Sequence, residues 1–174
     1  LIPTASTTAT LAMGDALAAA LLQKKGLNRE DFALFHPGGS LGKKLLLKVK
    51  DLMHTGNKIP QVSLNALLKD VIYEISSKGL GVTVVVNEDG IVQGIVTDGD
   101  LRRLMEHDGE GNIFQKSAQQ IMTLNPKNIE AEDLAAKAVQ VMERFSITSL
   151  LILNEKRHLE GIIHLHDLLR AGVV

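Results

Sequence analysis

The feature that most constrains this chain is a repeat. Sliding the sequence against itself by 67 positions aligns residues 62–105 with 129–172. Eight pairs are then identical: Leu67/Leu134, Asn87/Asn154, Glu88/Glu155, Gly94/Gly161, Ile95/Ile162, Asp100/Asp167, Leu101/Leu168 and Arg103/Arg170. Many other pairs keep their apolar character, among them Val62/Ile129, Val71/Ala138, Ile75/Met142 and Val84/Leu151. Upstream, Asp51-Leu-Met53-His and Gln120-Ile-Met122-Thr also correspond, with two extra residues in the first copy. A period of this length marks one supersecondary unit present twice, each copy completing the other's core.

Each unit predicts the order βαββα. A short strand (Ile59–Val62 or Asn128–Ile129) leads into a helix (Leu64–Ser77 or Ala131–Phe145) whose apolar residues recur at three- and four-residue spacing. A near-continuous apolar strand follows (Val82–Val86 or Ser149–Leu153), then a turn opened by Asn87 or Asn154. A second strand (Ile91–Thr97 or Leu159–His164) completes a hairpin, and a helix begins at Asp100 or Asp167. Strands this apolar on both faces are covered on both sides, so the two units are expected to pack together. A unit of about 55 residues is marginal alone, and pairing solves that.

Composition excludes several functions. Nineteen basic and twenty acidic residues give a formal charge of −1, which argues against binding nucleic acid through its phosphates. Aromatic residues make up 3% of the chain, with no Trp, so base-stacking platforms are not expected. The absence of cysteine removes disulfides, thiol catalysis and Cys-ligated zinc, and suits a cytoplasmic location. The longest apolar run, Ala9 to Leu22, contains Asp15 and is too short to span a bilayer. It reads as a buried or interfacial helix within a predicted helix from Ser6 to Lys25 that ends at Gly26. The chain opens at Leu1 on a polar lead-in and reads as a fragment of a longer protein.

The repeat resembles the cystathionine-β-synthase-type (CBS) domain, which occurs as tandem pairs called Bateman modules. Asp51-Leu-Met53, Gly94-Ile-Val-Thr-Asp-Gly-Asp100-Leu and Gly161-Ile-Ile-His-Leu-His-Asp167-Leu carry the resemblance. The family's nucleotide signature, a strand ending in Ser/Thr, two arbitrary residues and Asp opening a helix, stands here as Thr97-Asp98-Gly99-Asp100. Free N–H groups at a helix start and a hydroxyl suit a phosphate, and a carboxylate suits ribose hydroxyls. The same residues also make a plain helix cap, and the motif alone does not choose. In the second copy His164 stands where the signature has Ser/Thr. The resemblance implies a ligand cleft between the repeats, with Thr97 and Asp100 on phosphate and ribose and apolar walls from Ile59, Pro60 and Val82. Asp167 and His164 would form the pseudo-symmetric site.

Residues 1–47 add a second resemblance. Pro3-Thr-Ala-Ser-Thr-Thr-Ala-Thr-Leu-Ala-Met-Gly-Asp-Ala-Leu-Ala18 precedes Phe32-Ala-Leu-Phe-His36-Pro-Gly-Gly-Ser-Leu-Gly42-Lys43, as at the end of the sugar isomerase (SIS) domain in arabinose 5-phosphate isomerases. The glycines do not make a phosphate-binding P-loop, because Gly38 and Gly42 are too close and Lys44, not Ser/Thr, follows Lys43. The expected fold class is therefore α/β: a tandem CBS pair of two βαββα repeats, residues 48–108 and 115–174, after the C-terminal helix of a truncated SIS domain in residues 1–47. That family interconverts ribulose 5-phosphate and arabinose 5-phosphate for octulosonate and lipopolysaccharide biosynthesis. It implies a catalytic role for His36, since an imidazole suits the proton transfers of aldose–ketose exchange. The sugar-phosphate cradle and the acidic partners are missing from these residues, so this chain alone is expected to be inactive.

No cofactor is expected to be required. A regulatory nucleotide or CMP-sugar is the implied effector, and passive oligomerisation without a ligand is the alternative. No metal site is expected: His164 and His166 could share a face, but a third ligand is not evident, His158 being the one conceivable candidate. Arg102 and Arg103 could neutralise a phosphate or simply sit on a helix, and Lys43, Lys44, Lys48 and Lys50 read as a solvated linker. Partners are expected to be further copies of the chain, in a dimer or tetramer, because Ala9–Leu22 would expose an apolar stripe. A sugar phosphate is expected for the intact enzyme, and neither nucleic acid nor membrane.

Overall fold

The computed structural model of the protein describes residues 3–28, 31, 39–107 and 113–173. His36 lies outside them. The chain divides into two compact units, residues 1–46 and 47–174.

In the first unit, helix α1 spans Thr4–Lys25 and ends on Gly26 in the left-handed region, where glycine carries no Cβ penalty. Its N-terminal hydroxyls turn back onto the helix: Thr8 Oγ1 donates to the Thr4 carbonyl and Thr10 Oγ1 to the Ser6 carbonyl, both at 2.9 Å. With those hydroxyls satisfied, the helix is 22 residues long and, by length and composition, long and apolar enough to cross a membrane. The apolar run Ala9 to Leu22 is only part of this helix. Leu11, Met13, Leu17, Leu21 and Leu22 are exposed, and the helix favours no single side, so the expected stripe is not there. Helix α2 covers Ser40–Leu46.

The second unit contains both repeats. The first sheet runs in the order β1 (Gln61–Ser63), β2 (Val82–Val86), β3 (Val92–Thr97), β4 (Thr123–Leu124). β1 is parallel to β2, and the remaining pairs are antiparallel. The second sheet is the hairpin β5 (Ser149–Leu153) and β6 (Leu159–His164), flanked by single bridges from Asn128 to Leu151 and from His54 to Ile162. Helices α3 (Leu68–Lys78) and α4 (Asp98–His107) serve the first sheet, α6 (Ala135–Phe145) and α7 (Leu165–Ala171) the second, and α5 (Ala118–Ile121) lies between the copies in sequence. α3 and α6 begin four residues later than the apolar spacing predicts. Leu67 and Leu134 are instead bridged to Ser117 and Lys48, and Leu68 and Ala135 donate to the Lys116 and Leu47 carbonyls.

These bridges show that the segments leading into the repeats are exchanged. Val49, Leu52 and Met53, at the head of the first copy, pack with Ala138, Met142, Leu150 and Ile163 of the second. Ala118, Ile121 and Met122 pack in turn with Val71, Ile75 and Val96 of the first. Glu132 receives Lys48 and Lys50 at 2.7 and 2.6 Å, and those hydrogen bonds hold its carboxyl at about 2. Lys48 and Lys50 are therefore ties between copies, not a free linker. A third cluster joins the sheets: Val82, Val84, Val86 and Val92 against Leu151 and Ile162. All of β2 is buried, as expected of a strand covered on both faces.

The exchange explains several identities. Gly94 lies so close to the crossing strand that a Cβ there would stand 2.7 Å from the Thr123 carbonyl oxygen and 2.9 Å from Met122 Sδ. At Gly161 it would stand 2.7 Å from Met53 Sδ and 3.1 Å from the His54 carbonyl oxygen. Asn87 and Asn154 organise the hairpins, each Oδ1 accepting the N–H of the residues two and four further on.

Candidate ligand-binding cleft

Where β3 and β6 run out, each repeat builds the same cap. The Thr97 N–H and hydroxyl donate to Asp100 Oδ2 at 2.9 and 2.7 Å, and the Asp100 N–H donates back to Thr97 Oγ1 at 3.2 Å. In the second copy the His164 N–H donates to Asp167 Oδ2 at 3.2 Å, and the His166 N–H donates to His164 Nδ1 at 3.2 Å. With Nδ1 accepting, the proton of the neutral ring resides on Nε2. The helices start two residues before the aspartates because Asp100 and Asp167 occupy the third helical position of a capping box, not the first.

The exchanged segments complete both caps. Thr123 Oγ1 donates to Asp100 Oδ1 at 3.2 Å, while His54 Nε2 lies 2.9 Å from Asp167 Oδ2. Asp100 also receives Arg103 Nη2. Burial raises the Asp100 carboxyl and is the largest single influence, but the hydrogen bonds from Thr97 and Arg103 together outweigh it, so it ends below its usual value. Burial foremost, with His166 and His54 adding repulsion, pushes the His164 imidazole below the ordinary histidine range, against the opposing pull of Asp167.

Between the repeats lies a cleft of about 920 Å³. Gly79 to Val82 and Ser146 to Ser149 line it from the two copies, as do Thr97, Asp98, Gly99 and Arg103 of the first and His164 and His166 of the second. The segment Leu124 to Lys127 and Phe145 complete the wall, with Lys127 Nζ 4.3 Å from the centre of the Phe145 ring. Of the residues singled out in the sequence, Thr97, Val82, Arg103, His164 and His166 reach this cleft together. Asp100 and Asp167 do not line it, being engaged in the caps. Ile59 packs in the cluster between the sheets and Pro60 is buried, its carbonyl accepting Val84 N–H at 3.0 Å. The segment carrying them is strapped to α3, where Lys78 Nζ donates to the Asn57 carbonyl at 2.6 Å and Glu74 accepts the Gln61 N–H at 3.2 Å. Their counterparts 67 residues on, Pro126 and Lys127, line the cleft instead.

Sequence reasoning missed Lys127, Asp98, His54 and Thr123. Lys127 was reachable through the repeat offset. His54 and Thr123 closed the two matched motifs Asp51-Leu-Met-His and Gln120-Ile-Met-Thr, but their roles depend on the exchange. Among the described residues, no group of three or more His, Asp or Glu side chains is arranged to hold a metal ion.

The comparisons agree with this architecture. The CBS domain family matches residues 49–107 and 118–174. Over all 174 residues the chain is 49% identical to the arabinose 5-phosphate isomerase KdsD of Escherichia coli K12, and 51% identical to that of Salmonella typhi. It spans about half the length of these curated relatives, 52% of each. Among solved structures, CBSX2 in complex with AMP superposes with a TM-score of 0.64 at 19% identity, covering 73% of this chain and 96% of that one. The CBS pair of MJ0100, in complex with 5'-methylthioadenosine and S-adenosyl-L-methionine, gives 0.63 at 19% over 71% and 93%. Two family matches, one for each repeat, together with this shared fold, establish that the chain belongs to the CBS-domain family.

Proposed function

We propose that this chain is the ligand-sensing pair of an arabinose 5-phosphate isomerase, binding a regulatory nucleotide or CMP-linked sugar in the cleft between its repeats. The observation that carries the reading is the cleft itself. It is large enough for a nucleotide, is walled by both copies, and combines Phe145 and Val82 with the cations Arg103 and Lys127. The likeness to structures solved in complex with AMP and with S-adenosyl-L-methionine supports a nucleotide-class ligand. In the whole protein, located in the cytoplasm as a dimer or tetramer, a preceding sugar isomerase domain would interconvert ribulose 5-phosphate and arabinose 5-phosphate with His36 at its centre. This chain alone has no turnover on that reading.

Calorimetry with AMP, CMP and a CMP-linked sugar acid tests the proposal. Saturable binding of at least one, weakened about tenfold or more by Lys127→Glu, is the expected result. Asp100→Ala separates the two roles of that residue: weaker nucleotide binding supports ribose chelation, and unchanged affinity leaves Asp100 as a helix cap. Absence of binding by all three ligands, with light scattering showing an oligomer, would replace sensing by passive assembly.

A further inference from the structure

Among the differences between the two repeats at the cleft, three give the second copy nitrogen-bearing side chains. Where the first repeat has Pro60, Thr97 and Gly99, the second has Lys127, His164 and His166. All three second-copy residues line the cleft, and Arg103 joins them from the first copy. The two imidazoles stand edge to face with ring centres 4.9 Å apart. Beside them Ser149, paired with His164 across β5 and β6, holds a buried hydroxyl that no group among the described residues engages. The second repeat therefore supplies a lysine and two imidazoles to the cleft, and the first repeat supplies Arg103.

We infer that the second-repeat half is an anion subsite, formed by His164, His166 and Lys127 with Arg103, which takes a phosphate-class group and takes up a proton as it does so. This rests on the reading of the cleft as a ligand site and specifies its polarity and pH dependence. His164 is biased toward its neutral form, because its Nδ1 caps α7 and burial and the neighbouring imidazoles oppose charge. The charged and titratable groups around it are His166 and Asp167 on α7, His54 on the exchanged segment, Asp98 and Arg103 on α4, and Lys127 on the segment leading into the second repeat's helix α6. Asp167 is already shared between the His164 N–H and His54. A bound anion adds the missing negative charge and so favours the imidazolium form of His164. By linkage, whatever favours protonation on binding makes binding tighter as the pH falls.

The experiment is calorimetry of the 174-residue chain with AMP and with adenosine at pH 8.0 and pH 6.0. A phosphate monoester loses part of its charge over this interval, its second pKa being about 6. Attraction to Arg103 and Lys127 alone thus makes AMP bind more weakly at pH 6.0. The histidine subsite gives the reverse: AMP tighter at pH 6.0 by about threefold or more, with net proton uptake, and adenosine nearly indifferent to pH. His164→Thr, which copies the first repeat's own residue, and His166→Gln, at an exposed position, should each turn the trend back toward weaker binding in acid. AMP binding that is equal or weaker at pH 6.0 in the unaltered chain would overturn the anion subsite while leaving the cleft a ligand site. Absence of AMP and adenosine binding at both pH values would remove the ligand reading and the subsite with it.

Discussion

The two repeats agree where the fold is made and differ where the cleft is lined. Gly94 and Gly161, Asn87 and Asn154, and Asp100 and Asp167 do the same work in each copy, accommodating the exchanged segment, closing the hairpin and capping the last helix. At the cleft, Lys127, His164 and His166 stand where the first repeat has Pro60, Thr97 and Gly99. A duplicated unit has one packing problem to solve twice, so the residues that solve it stay alike. Its two half-sites share one ligand space, so they are free to divide the work of contacting it.

The sharpest way to break this comparison is at the crossing glycines. Gly94→Ala should cost about 3 kcal/mol in denaturant unfolding, because its Cβ meets a backbone carbonyl that cannot swing aside. Gly161→Ala should cost less, about 1–2 kcal/mol, since its nearest neighbour is the flexible tip of Met53. Equal costs would mean that the two crossings are not packed as described.

Next in size is the response to acid, which should fall in different windows for the two copies. The Asp100 carboxyl is held below its ordinary value, so it stabilises the fold above the usual carboxylate range. That contribution disappears as the pH falls from the ordinary value through the lowered one. His164 is also shifted down, but for a base the sign differs in origin: the unfolded chain binds the proton more readily. Stability is therefore lost as the pH falls below the ordinary histidine value of about 6.5. Melting temperatures measured across pH should show two separate declines. His164→Thr should flatten the one near neutrality, and Asp100→Asn the acidic one, the latter also costing about 1–2 kcal/mol at pH 7. A single decline that neither variant alters would contradict the assignment.

The smallest expected effect is a gain. Thr83 is fully buried in β2 with a hydroxyl that no group engages, and its counterpart in the second copy is Leu150. Thr83→Val should stabilise the chain by about 1 kcal/mol in chemical denaturation, by removing an unpaired buried polar group without changing shape. A loss of similar size would show that the hydroxyl has a partner after all.

The sequence by itself determined the repeat, the order of elements and the burial of the strands. Those signals are local: strands Val82–Val86, Ser149–Leu153 and Leu159–His164 each lie within a few residues of their own turn and periodicity. The capping signature was legible for the same reason, since Thr97 and Asp100 are three residues apart. Which segment packs on which copy was decided only in three dimensions. His54 reaches Asp167 and Thr123 reaches Asp100 because each leading segment crosses to the other repeat, and neither contact follows the 67-residue offset. The cleft's lining was settled by the same crossing. Ile59 and Pro60 are drawn into the core and onto α3, while Pro126 and Lys127 are left at the opening, and a sequence pattern records apolar character but not which of two equivalent segments the packing will bury.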